Sequence, residues 1–475
     1  MKLFRRVMSA VVVLALPAVL YLSVSGGSDG VLGRIGIGRG KQTVRIWYSD
    51  DAITDYLNIR AVAYNESHDD VRIEPTLVSG VEFLENVNRA SLESDIFPDL
   101  YLTTHDTLEK AQLAGLTTQI PEGDRFLTTE NFPETALNAV TYHGNYVAYP
   151  FYYETSVLMY NRTYLEDFAR ESLTQERMDA GAESAVVTDE EVNARIVEIV
   201  PETIAELLLF ANQYNAPANV ESVFKWDVTD IFYNYFFIGD YMNAGGPAGD
   251  DLALLDLYNT EMISCMKAYQ KLNEYFAIDA EEVSYDQIIE DFIAGKMVFT
   301  VVTSDAERRI REAQDSGSCS YTYGAAPVPG LNDYYGTRTM SVTECIAING
   351  YSEHPEEAAD FARYLISDMD ETIFRQAGKL PARKNVAYEM PNLNTFFAVY
   401  ERSVPMPKMI ETSNLWMRLE IAFTQIWNGA NCNQTLKELS ESVMTQVVKQ
   451  RYEEMLLPEP EMVSITDESE SDGGN

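Results

Sequence analysis

Three stretches decide the fold: Thr43-Val44-Arg45-Ile46-Trp47-Tyr48, Val71-Arg72-Ile73-Glu74 and Pro98-Asp99-Leu100-Tyr101-Leu102. Each is short, the first is rich in β-branched and aromatic residues, the first two alternate in polarity, and the third is an apolar run after Pro98-Asp99, so each reads as a strand. Between the first two, Asp51 to Asn65 places Ile53, Leu57, Val62 and Tyr64 at helical spacing, and residues 81–93 read as a second helix. A β-α-β-α-β rhythm predicts a parallel sheet with helices on its faces. Ligands of such sheets sit at the carboxyl ends of the strands. The polar groups just beyond those ends are Ser49, Asp50 and Asp51, then His105 and Asp106.

Downstream, Gly144 to Glu154 and Val157 to Asn161 hold two apolar strands with an aromatic cluster between them. Residues 166–200 are acidic and poor in aromatics, and read as a surface insertion with a helical part. Thr203 and Glu206 form a T-x-x-E capping box that starts a helix. Residues 229–242 are dense in aromatics. Tyr285 to Phe292 reads as a helix ended by Gly295, with strands at Met297 to Val302 and Met340 to Asn349. His354-Pro355-Glu356-Glu357 opens a further helix, with proline near its first position, carboxylates in its first turn and an apolar stripe of Ala358, Phe361, Ala362 and Leu365. Residues 413–455 read as C-terminal helices. From Pro458 to Asn475 the tail is acidic with no basic residue, which predicts disorder.

The 475 residues, 46% apolar and 11% aromatic, suffice for two lobes and a large core. A net charge of −39 with no Lys/Arg cluster argues against nucleic acid, because phosphates need concentrated positive charge. His68, His105, His143 and His354 are scattered, as are Cys265, Cys319, Cys345 and Cys432, so zinc-ligand spacings are missing and no cofactor is expected. Both a structural disulfide and buried free thiols fit the four cysteines. Lys2, Arg5 and Arg6 precede an apolar run from Val7 to Val24, which is an export signature. The run is close to the shortest that spans a bilayer, about 17–20 residues, and Pro17 interrupts it. Residues 1–25 are therefore either a cleaved signal peptide or a retained membrane anchor, with the rest of the chain extracytoplasmic. Residues 26–42 read as a Gly-rich linker. Its G-x-S-x-G, Gly26 to Gly30, has neither the preceding strand nor the following helix of a nucleophile elbow.

The order of segments resembles the sugar-binding, maltose/maltodextrin type of extracytoplasmic solute-binding protein that serves ATP-driven (ABC) importers. The resemblance spans roughly residues 43–450. It is carried best by Asn138-Ala-Val-Thr-Tyr-His-Gly-Asn-Tyr-Val-Ala-Tyr-Pro150, followed by Glu154 and Leu158-Met-Tyr-Asn161. Val44 to Trp47, Pro98 to Leu100, His105-Asp106, Gln112 to Leu116, Phe292 to Lys296 and Gly378-Lys-Leu-Pro-Ala-Arg383 match in the same order. The resemblance implies an α/β, two-lobed periplasmic-binding-protein fold of type II, with a hinge and an interlobe cleft. One lobe would comprise 43–150 plus 345–382, and the other 155–340 plus 385–455. Glu154 would lie at the first hinge crossing and Thr343–Cys345 near the second.

A sugar presents hydroxyls at its rim and C–H bonds on its faces, so a pocket for it needs carboxylates and flat rings. By resemblance, Asp51 and Asp106 match sugar-binding aspartates, Glu154 the hinge glutamate, Tyr235 a stacking tyrosine and Trp416 a stacking tryptophan. Tyr153, beside Glu154, and Asp305 complete the expected contacts. Trp47 matches a first-strand tryptophan suited more to packing than to ligand. Ala52 stands where the maltodextrin binders have a lysine, and Thr103 and Asp305 where they have tryptophans. The implied role is capture of a carbohydrate by a monomer, and its delivery to membrane permease subunits, without enzymatic activity. Two alternatives stay open. One is a binding protein for another polar solute such as a polyamine, which would suit the acidic site residues. The other is a glycoside hydrolase, which needs two carboxyls about 5–9.5 Å apart.

Overall fold

The computed structural model describes residues 41–78, 80, 82–121, 123–181 and 186–465. The expected export segment, nearly all of the Gly-rich linker, and tail residues 466–475 lie outside the described residues. The chain begins β1 (Gln42–Tyr48), helix Thr54–Ser67, β2 (Val71–Leu77), helix Phe83–Glu93 and β3 (Leu100–Thr104). The rhythm read from the sequence is present, and both β2 and β3 pair parallel with β1. A tight hairpin of β4 (Thr141–Tyr142) and β5 (Asn145–Tyr146) follows. Its turn residues His143 and Gly144 have φ of 48° and 78°, the left-handed pair that matches the twist of flanking strands. Next comes β6 (Tyr149–Thr155).

After Ser156 the chain continues directly into β7 (Val157–Asn161), which belongs to a second sheet. That sheet adds β8 (Ser222–Phe224), β11 (Met297–Val302) and β12 (Tyr323–Ala326) in the order β12-β7-β11-β8. A small ribbon of β9 (Asn243–Ala244) and β10 (Leu255–Asp256) stands apart from it. The chain then returns to the first sheet as β13 (Met340–Ile348), β14 (Leu380–Pro381) and β15 (Val404–Pro405). The first sheet runs β14-β6-β13-β3-β1-β2, with β15 beside β13. Two sheets joined by strands that cross between them make the two-lobed α/β fold. The crossings at Thr155–Val157 and before Met340 are tied together: the Thr155 hydroxyl bonds the Thr339 hydroxyl at 3.0 Å and donates to the Met340 carbonyl at 2.9 Å.

Local signals explain the helices. Thr203 and Glu206 make the capping box, and Thr188 with Glu191 makes another that opens helix Asp189–Ile199. This helix and Arg162–Asp179 account for the described part of the 166–200 insertion, and Leu165, Ala169, Val192 and Ile196 bury its inner side. Pro355 sits at the start of helix Pro355–Ser367, and all four residues of the expected stripe are fully buried. The four cysteines are free and buried, so the thiol alternative is the one found.

Two expected boundaries need correction. Residues 385–455 do not lie wholly in the second lobe. β15 pairs with β13 of the first sheet, and helix Pro391–Tyr400 stacks the Tyr400 ring on Tyr153 of β6, centroids 3.9 Å apart and 6° from parallel. The tail is not disordered from Pro458. Val463 and Ile465 are buried in the second lobe, Lys267 pairs with Glu459 at 2.6 Å, and Asn332 donates to the Ser464 carbonyl. Two apolar side chains outweigh the acidic composition over this stretch. Among the described residues no helix is long and apolar enough to cross a membrane.

Candidate functional site

The register of the first sheet gathers its chemistry at one edge. β1, β3 and β6 run the same way and end together, and β13 runs against them so that Glu344 lies opposite Thr104 and Tyr152. This edge therefore carries Asp50, Asp106, Glu154 and Glu344, with Lys379 entering just before β14. Asp50 takes the amide of Ala52 at 3.0 Å and so caps the turn that follows β1. Lys379 Nζ donates to Glu154 Oε1 at 2.8 Å and lies 2.9 Å from Asp50 Oδ2. Its ammonium also sits 5.2 Å from the centre of the Tyr152 ring, near enough for a cation–π contact. Burial works against the Lys379 charge, but Glu154 and Asp50 overcome it and raise its pKa.

Glu344 has no hydrogen bond or ion pair of its own among the described residues. Burial pushes its pKa up to about 8; Lys379 opposes this, and Asp50, Glu154 and Asp106 add to it. Asp106 Oδ1 is buried without a partner, and burial raises that carboxyl too. Behind them His105 is fully buried. It accepts the Thr343 amide at Nδ1 and bonds the Met406 carbonyl through Nε2, each at 3.1 Å. Both contacts hold the neutral ring in one tautomer, and burial first, then Lys408, lowers its pKa to about 3. Lys408 is itself buried. Its ammonium is spent on the carbonyls of Asn138 and Ala248.

The second lobe presents the end of β11 to this edge. The Tyr285 hydroxyl donates to Asp305 Oδ1 at 2.6 Å and bonds the Thr303 hydroxyl at 2.8 Å. Tyr233 stacks on Tyr285 with centroids 4.6 Å apart. The Ser304 hydroxyl donates to the Gly378 carbonyl at 3.2 Å, so Asp305 and Lys379, each one residue further on, flank the same contact between lobes. Arg309 lies 2.8 Å from Asp286 and 4.0 Å from Asp305. Among the described residues no group of three or more His, Cys, Asp or Glu side chains is arranged to hold a metal ion.

A family model for bacterial extracellular solute-binding proteins matches residues 60–395. The chain belongs to that family. Relatives of this solute-binding protein include a maltodextrin-binding protein of Bacillus subtilis (strain 168), 20% identical over 75% of this chain and 78% of its own. A maltotriose-binding protein of Pyrococcus abyssi (strain GE5 / Orsay) is 22% identical over 78% and 73%. Among solved structures, an extracellular solute-binding protein from Staphylococcus aureus in complex with maltose superposes with a TM-score of 0.68. It is 20% identical, and the match covers 87% of this chain and 99% of that one. A cyclo/maltodextrin-binding protein complexed with maltotetraose gives the same score and identity over 88% and 100%. At such identities the structural likeness establishes the fold.

The structure of this solute-binding protein places the expected site residues unequally. Asp106 and Glu154 stand at the shared edge, and Asp305 faces them from the other lobe. Asp51 is exposed beside Asp50, but it is Asp50 that engages Lys379. Trp416 is half-buried and edge-on to Tyr235, centroids 5.7 Å apart. Trp47 packs against the core of the first lobe. Two expectations are corrected. Tyr153 is fully buried with one face covered by Tyr400, and Tyr235 is fully buried within the second lobe's core. Rings without exposed surface offer no face to a sugar; beside Asp305 the partly exposed ring is Tyr285, backed by the buried Tyr233. Glu344, Lys379, Asp50 and Tyr152 were not among the expected contacts. Each lies in or next to a stretch the sequence did flag: the turn after β1, the aromatic cluster, the second crossing and Gly378 to Arg383.

Proposed function

We propose that this protein is the extracytoplasmic binding component of an ABC importer, capturing a carbohydrate between its lobes and handing it to membrane permease subunits. The observation that carries the reading is the junction itself. Asp50, Glu154 and Glu344 on one lobe oppose Asp305, Tyr233 and Tyr285 on the other, across the Ser304–Gly378 contact. Carboxylates accept hydroxyls in charge-assisted bonds, and rings cover C–H faces. A guest that touches both lobes favours the closed arrangement, because only differential contact shifts such an equilibrium. The maltodextrin and maltotriose binders among its relatives support the sugar. The basic and apolar start of the chain supports export. Contacts are assigned to Asp50, Asp51, Asp106, Glu154, Glu344, Lys379, Tyr285, Asp305 and Trp416. The site performs no bond chemistry in this reading; its carboxylates hold hydroxyls and transfer no proton. Isothermal calorimetry against mono- and oligosaccharides tests it. The expected result is saturable binding of at least one saccharide with micromolar or tighter affinity. Heatless titrations with every saccharide at millimolar concentration would remove the carbohydrate from the reading.

A further inference from the structure

The charge at the junction is unbalanced. Four carboxyl groups, Asp50, Asp106, Glu154 and Glu344, converge on the edge of the first sheet, and among the described residues Lys379 is the one cation paired with any of them. Its bonds go to Asp50 and Glu154, whose side chains keep 31% and 42% of their surface exposed and so stay within reach of a guest. Among the described residues the Glu344 side chain has no hydrogen bond or ion pair, and the inner oxygen of Asp106 is buried without a partner. The facing lobe adds Asp305 beyond the Ser304–Gly378 contact, while its Arg309 is turned chiefly to Asp286. A neutral sugar donates hydrogen bonds to such groups but leaves their mutual repulsion in place when the lobes close. A cation between them removes it.

Accepting the carbohydrate reading, we propose that the guest is a saccharide bearing a protonated amine, and that Glu344 is the specificity-determining carboxylate that meets the ammonium. Glu344 is faced by Asp50 after β1, Asp106 after β3, Tyr152 and Glu154 of β6, and Lys379 before β14, with Cys345 next on its own strand and Lys408 behind Asp106. Only Lys379 in that shell offers it positive charge directly, and Lys379 is already shared. An ammonium on a sugar ring would ionise Glu344 as it binds, so affinity would depend on pH in a way a neutral sugar's would not.

Calorimetry with the intact chain tests this. The probes are a glucosamine trimer, its fully N-acetylated counterpart, maltotriose and spermidine. The glucosamine trimer is expected to bind at least about tenfold tighter than either neutral trimer, and to tighten by up to about tenfold per unit between about pH 5.5 and 7, where the free protein still holds on Glu344 the proton that binding must expel. Glu344→Gln should abolish that slope and most of the preference, with a smaller loss of neutral-trimer affinity than of glucosamine-trimer affinity. Asp106→Asn serves as the second variant if Glu344→Gln does not fold, and should flatten the preference in the same direction. A neutral trimer binding as tightly as the amine-bearing one overturns the inference and leaves the carbohydrate reading standing. So does an unchanged preference in Glu344→Gln, for Glu344 itself. Spermidine binding without any saccharide overturns the saccharide, and with it the proposed function, while keeping the charge.

Discussion

Replacing Lys379 with methionine should lower the stability of the protein by about 1–3 kcal/mol, between the cost of losing an exposed ion pair and that of breaking a buried one, because its two carboxylate partners stay partly in water. The effect follows from the arithmetic of charges at the junction. Lys379 keeps only 16% of its side-chain surface exposed and is bonded to two carboxylates from different strands, Asp50 after β1 and Glu154 on β6. Without it, those two face Glu344 and Asp106 with no cation between them. Methionine keeps the bulk over the Tyr152 ring, so the loss reports charge more than volume. Urea denaturation is the measurement, with a lower midpoint and an unchanged slope expected. Adding Asp50→Asn to Lys379→Met should recover part of the loss, because one of the stranded charges is gone. A midpoint that does not move would mean that the ammonium and carboxylates are solvated independently.

Glu154→Ala should do the reverse: little to stability, much to binding. Lys379 retains Asp50 at 2.9 Å when Glu154 is removed, and Glu344 loses one of the carboxylates that repel it. The stability measured in urea should therefore stay within about 0.5 kcal/mol of the wild type. A carboxylate that accepts a hydroxyl contributes about 1.5–3 kcal/mol, so affinity for a saccharide bound by the wild type should fall by about tenfold to a hundredfold. Calorimetry and denaturation on the same preparation separate the two effects. Unchanged affinity would place the guest elsewhere. The contrast with Lys379 rests on numbers of partners: one lysine serves two acids, so losing the lysine strands both, and losing one acid strands nothing.

Much of this was legible in the residues. The first three strands announce themselves through alternation, and their order alone puts Asp50, Asp51 and Asp106 at the carboxyl edge. The Thr203–Glu206 box and the Ala358–Leu365 stripe are local signals, and local signals survive folding. What was not legible depends on register and on contacts between segments far apart in sequence. Glu344 reaches the site because β13 runs against β3, and Lys379 because a two-residue strand lies along β6. Neither pairing leaves a local trace in composition. Tyr153 and Tyr235 failed as ligand contacts for the same reason. An aromatic run shows that rings are present but not which face the core, and in these two the core won. In the tail the acidic composition points to disorder, but two apolar side chains, Val463 and Ile465, are enough to anchor its described part in the second lobe.

A guest held between the two lobes touches both. Small-angle scattering of the intact protein, with and without a saturating saccharide shown by calorimetry to bind, tests it most directly. A smaller radius of gyration is expected in the presence of the saccharide, with a lesser decrease in Glu154→Ala at the same concentration. Tight binding with an unchanged radius in the wild type would contradict it, because the guest would then sit on one lobe alone.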